Sequence, residues 1–205
     1  MLNYYKLNRI LMLSLAMFAF YIAPAFSSDL SDATALRERC EKEILGLEVS
    51  VKNFGDNADL ENFAKGEHLI KLGKIKFIQS KFTDAIEIYN KYLAIQYGLY
   101  EVLAKKYIDR AEKINDAVGE DMVDFINDKK VVEYLRLSSQ NIKDAKAALA
   151  TKHYKSIIDV CRTAKNYALG AYKVAGKPLP EQYKVDQADN EGKIAKKQSS
   201  DVPKK

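Results

Sequence analysis

The chain has 205 residues, of which 33 are Lys or Arg and 28 are Asp or Glu, giving a formal net charge of +5. A balance this close gives no case for nucleic-acid binding, and the length suffices for a real hydrophobic core without disulfide or metal staples. With two cysteines and two histidines in the whole chain, a zinc centre or an attached haem has no motif to stand on.

The N-terminus opens with Lys6 and Arg9, followed by an apolar stretch from Ile10 to Ile22 and then small residues at Ala23, Ala25, Ser27 and Ser28. Positive, apolar and small segments in that order predict a secretory signal peptide over residues 1–28. A membrane-spanning helix is the competing reading. It needs about 20 apolar residues, whereas this run spans 13 residues, Ser14 among them, and meets Pro24 almost at once. No cysteine follows the small residues directly, so no lipid attachment is expected. Without Lys6 and Arg9 the exported chain carries 31 basic and 28 acidic residues, a net of +3. The expected location is periplasmic or secreted, with no membrane span after cleavage.

Downstream, Leu36, Cys40, Ile44, Leu47, Val51 and Phe54 step by three and four and predict a first helix from about Ser31 to Phe54. Ser31 and Asp32 are its candidate N-caps, and Gly55 with Asp56 and Asn57 ends it. A second helix is expected from Asp59 to about Ser80, weakened by Gly66 and Gly73 unless those glycines admit a close neighbour. The third is long: Phe82, Ile86, Tyr89, Leu93, Gln96, Tyr100, Leu103 and Tyr107 form a stripe carried on to Ile114. From Thr83 to about Val118 it would extend roughly 50 Å, with Gly119 as terminator.

A short helical turn is expected over Met122 to Ile126, with Asn127 and Asp128 capping the next element. Val131, Leu135, Ser138, Ile142, Ala145 and Leu149 predict the fourth helix. Ile157, Cys161, Ala164, Ala168, Ala171 and Ala175 predict the fifth, ended by Gly176 and Pro178. No segment shows sustained strand alternation. The fold expected is therefore an elongated all-α antiparallel bundle of about five helices, two hairpins plus an N-terminal helix, over residues 29–176. Residues 177–205, rich in Lys, Ser, Asp and Gln, read as a flexible tail.

Two stretches echo one another at an offset of 72 residues: SKFTDAIEIYNKYLAIQYGLYEV from Ser80 and TKHYKSIIDVCRTAKNYALGAYKV from Thr151. Phe82 aligns with Tyr154, Ile86 with Ile158, Gly98 with Gly170 and Tyr100 with Tyr172. The pattern loosely resembles tetratricopeptide hairpins, although the period is not about 34 and the Trp and Pro of that repeat are absent. Chance similarity between amphipathic helices is the alternative.

Cys40 and Cys161 are either a disulfide, permitted in an oxidising compartment, or two buried thiols. Closing so long a loop would stabilise by about 4 to 5 kcal/mol in the chain-entropy model. No catalytic, cofactor-binding or metal-ligating set is predicted: no HExxH, no phosphate-cradling glycine loop, and carboxylates only on expected solvent faces. Tyrosine is the conspicuous residue type. Tyr89, Tyr100 and Tyr107 share the core stripe of the third helix, whereas Tyr92 and Tyr97 lie off it and are the candidate interface anchors.

The segments YNKYLAIQYGLYEVLAKKYIDRAEK (Tyr89 to Lys113) and AYKVAGKPLPEQY (Ala171 to Tyr183) resemble the spirochaete flagellar-coiling proteins, secreted all-α proteins of the periplasmic flagellar sheath. The resemblance spans about half of the exported chain, carries no specific motif, and the chain is short for that family. It implies a structural part that packs laterally in a filament coat and catalyses nothing. Apart from it, helices without catalytic motifs predict a non-enzymatic exported protein whose partners are other exported proteins, flagellar or envelope components among them. A tetratricopeptide-like adaptor or chaperone is the second expectation, and a small-ligand carrier or enzyme without a recognisable motif the third.

Overall fold

The computed structural model describes residues 2–195, with side chains from Ser28 onward. The side chains of the expected signal segment, and the Lys-rich end after Ala195, lie outside the described residues. Among the described residues there are six α-helices and no strand: α1 Leu2–Phe54, α2 Asn57–Ile78, α3 Phe82–Asp121, α4 Lys129–Ala148, α5 Tyr154–Val174 and α6 Lys184–Asn190. Single 3₁₀ turns lie at Val123–Phe125, Leu149–Thr151 and Glu181–Tyr183. The all-α helical bundle read from the periodicity is thus the fold.

Local chemistry accounts for most helix ends. Asp56 and Asp59 cap α2 reciprocally, the Asp59 N–H donating to the Asp56 carboxylate at 3.0 Å and the Asp56 N–H to the Asp59 carboxylate at 3.1 Å. Asp128 caps α4 by accepting from the N–H groups of Lys130 (2.8 Å) and Val131 (3.4 Å). Gly176, at φ +70°, closes α5: its N–H donates to the Lys173 carbonyl at 3.2 Å and that of Lys177 to the Tyr172 carbonyl at 2.8 Å. Helix α3 runs past Gly119 to Asp121. One glycine costs a helix only about 1 kcal/mol, and buried Val118 and Met122 on either side offset it.

The chain divides into two compact units, 1–42 with 67–93, and 43–66 with 94–205. Chain order cannot reveal this, because α1, α2 and α3 each contribute to both. In the first unit, Ala33, Cys40, Ile70, Ala85, Ile88, Tyr89 and Tyr92 are buried. The Tyr89 ring lies so close to Gly73 that a Cβ there would stand 2.5 Å from it. The Arg37 guanidinium sits 4.4 Å over the Phe77 ring, which meets Phe82 edge-on at 5.5 Å.

The second unit has a core centred on Leu47, Val51, Leu103, Tyr107, Ile157 and Cys161, and another on Ile114, Val118, Met122, Val131, Ala168 and Tyr172. Helices α4 and α5 form a tight hairpin, in which Gly170 admits the Tyr134 ring. Tyr134 in turn meets Tyr167 edge-on at 5.8 Å.

Of the tail expected to be flexible over residues 177–205, the part described, up to Ala195, carries ordered helix. Residues 181–190 are helical, and Tyr183, Asp186 and Asp189 are buried. What orders this segment is charge pairing, which a count of apolar side chains does not register.

Candidate functional site

The most chemically distinctive place in the second unit is where α6 meets α1, α3 and α5. Lys165 sits on the buried side of α5, and its ammonium is fully enclosed. It donates to Asp189 at 2.9 Å and to Asp186 at 3.3 Å, while lying 4.4 Å over the Phe54 ring and 4.9 Å over that of Tyr107. Arg110 grips Asp186 with two N–H groups, at 2.6 and 3.2 Å. Arg162 grips Asp189 at 3.1 and 3.3 Å and also donates to the Ser50 hydroxyl at 2.9 Å. The Tyr107 hydroxyl donates to Asp189 at 2.6 Å.

Three cations thus surround two fully buried carboxylates. Burial pushes the Asp189 carboxyl up, but Lys165, Arg162 and Tyr107 together outweigh it and hold the group below its ordinary range. Burial disfavours the Arg162 guanidinium, and the bond to Asp189 more than restores it. Tyr107 is driven well above the ordinary phenol value, first by burial and then by the Asp189 charge. A carboxylate held ionised and a phenol held neutral are poor proton carriers near neutral pH. The cluster therefore acts as an ionic clasp that fixes the C-terminal helix. The Asn53 side chain extends it by donating to the Lys193 carbonyl and accepting from the Ala195 N–H, each at 2.9 Å.

Beside the clasp lies an open groove of about 740 Å³, lined by Asn53, Val185, Ala188 and Ile194 among others. Its lysines are already matched: Lys52 with Glu48, Lys184 with Glu181 at 2.6 Å, and Lys193 with Glu191 at 2.8 Å. Among the described residues, no group of three or more His, Cys, Asp or Glu is placed to hold a metal ion.

The two tyrosines read as interface anchors part company. Tyr92 is 1 % exposed and belongs to the core of the first unit, which corrects the expectation. Beside the stripe through Tyr89, α3 buries a second row formed by Ala85, Ile88, Tyr92 and Leu99. That row was present in the sequence at helical spacing. Tyr97 is 49 % exposed, its ring edge-on to Tyr154 at 5.3 Å. On the same helix Val102 is 42 % exposed, and in the same unit Leu45 and Leu60 are exposed as well.

Cys40 and Cys161 are both buried, and the structure carries both as thiols. Each fills its own core, Cys40 in the first unit and Cys161 in the second, as a small apolar residue does. The Cys40 thiol points at the Tyr89 carbonyl at 4.0 Å. Burial pushes the Cys161 thiol up to about 12, so it is no nucleophile near neutral pH.

The clasp had one sequence signal. Lys165 falls in a buried row of α5 with Ile158, Leu169 and Tyr172, and a cation among apolar residues calls for a buried carboxylate elsewhere. Asp186 and Asp189 supply it. Comparison of the chain with protein-family models, with characterised proteins and with solved structures gives no match.

Proposed function

We propose that this chain is a non-enzymatic exported helical protein that works through contacts with other exported proteins, as a structural component of a periplasmic filament or envelope assembly. The observation that carries the reading is the exposure of Tyr97 on α3, at 49 %. The ring of Tyr97 is fixed on one edge by Tyr154, so a partner that covers it meets a side chain with little freedom left to lose. Export is supported by the order of segments over residues 1–28, from Lys6 and Arg9 through the apolar run to Ser28. The distinctive buried charges of the second unit are engaged in holding α6, which is a structural task.

The test is a Tyr97→Ser variant, expressed in the native cell and compared with the unchanged chain for the size of the complex it enters. The position is exposed, so folding and export should persist. The account expects the variant to migrate as a smaller species than the unchanged chain. Identical complexes would reject this face as the contact.

A further inference from the structure

The first unit carries an exposed surface that neither its core nor the Tyr97 face explains. Near the end of α2, Ile75 is 51 % exposed and Ile78 is 80 % exposed, the latter being the most exposed large apolar side chain among the described residues. Lys71, Ile75 and Ile78 stand at i, i+4 and i+7, on one face of the helix. Between His68 and Thr83 there are four lysines, Lys71, Lys74, Lys76 and Lys81, and no carboxylate. Lys74 pairs with Glu41 at 3.1 Å and Lys76 with Asp84 at 3.2 Å. Lys71 and Lys81 are exposed and make no ion pair among the described residues.

The same tip adjoins α1: the Thr83 hydroxyl donates to Asp29 at 3.0 Å, and Leu30, the next residue, is 44 % exposed. Isoleucines held out in water beside unpaired lysines suit a surface that offers both hydrocarbon and negative charge. An anionic lipid bilayer presents hydrocarbon beneath a layer of negative charge, which matches both the isoleucines and the two ammonium groups. No helix among the described residues is long and apolar enough to cross a membrane, so the contact is peripheral.

We infer that the α2–α3 tip of the first unit, through Ile75, Ile78, Lys71 and Lys81, docks on the surface of a membrane containing anionic lipid. This contact is separate from the protein contact at Tyr97, and either can fail without the other.

The test places an environment-sensitive fluorophore at Ile78 through I78C in the full chain, the buried native thiols leaving the introduced one to react. A label at Glu87 through E87C, exposed on α3, is the comparison. Vesicles of phosphatidylglycerol and phosphatidylcholine should shift the emission at position 78 to the blue, with position 87 unmoved and pure phosphatidylcholine giving little change. Adding Lys71→Gln and Lys81→Gln should weaken the apparent affinity about 25-fold, the product of roughly fivefold for each surface lysine. Both are exposed, so the fold should be kept. Unshifted emission at position 78 on anionic vesicles overturns the inference. So does a shift that pure phosphatidylcholine reproduces or that loss of the two lysines leaves intact, since either would mean that charge does not select the membrane.

Discussion

Lys165 and its partners decide how the C-terminal segment is held, and their arithmetic makes an ordered prediction. Asp189→Asn leaves three cations around a single carboxylate, with uncompensated charge at the fully buried Lys165, and should cost about 3 to 5 kcal/mol. Lys165→Met leaves Asp186 with Arg110 and Asp189 with Arg162, a balanced set, and should cost distinctly less. Urea unfolding midpoints of the two variants measure the order, and equal losses would show that packing and not charge balance holds α6. Acid should act through the same carboxylate. Because folding lowers the Asp189 pKa, its contribution is complete above the unfolded value of about 3.9 and is lost as pH falls through the depressed folded value. The urea midpoint attributable to the clasp should hold from neutral pH to about pH 5 and fall below about pH 4, with a smaller fall in Asp189→Asn. At this scale the sequence was least legible. Asp186 and Asp189 read as solvated residues of a polar tail because burial by charge pairing leaves no apolar periodicity, and Tyr92 read as exposed because one stripe was traced on a helix that buries two rows.

At the scale of elements, periodicity and end signals locate α2 to α5 closely, since their buried faces repeat at three and four residues and Asp56, Asp128 and Gly176 mark their ends with specific hydrogen bonds. The 72-residue echo has a structural counterpart. Ser80 and Lys152 both adopt left-handed backbone, at φ 58° and 57°, and in each case a helix begins two residues later, at Phe82 and Tyr154. The paired glycines are not equivalent, however. A Cβ on Gly170 would lie 2.6 Å from the Tyr134 ring, whereas one on Gly98 would meet nothing within 4 Å. Gly170→Ala should therefore destabilise by about 1 to 3 kcal/mol through displacement of that ring, and Gly98→Ala should stabilise by roughly 0.5 to 1 kcal/mol through helix propensity. Thermal midpoints that moved in the same direction would contradict this assignment.

For the whole molecule, helix positions were readable but their grouping was not, because α1, α2 and α3 each serve two compact units and no break in composition marks the change. Function was legible only as an expectation: segments over residues 1–28 that read as an export signal, and helices whose side surfaces are proposed to meet partners. The central claim is that the Tyr97 face meets another exported protein. A photo-activatable side chain in place of Tyr97, introduced in the native cell, tests it most directly, with Lys113, exposed on another face of the same helix and paired to Asp109, as the comparison. The account predicts a single dominant adduct at position 97, identified by mass spectrometry as an exported filament or envelope protein, and little adduct at position 113. An unreacted chain at position 97, or the same diffuse set of adducts at both positions, would contradict it.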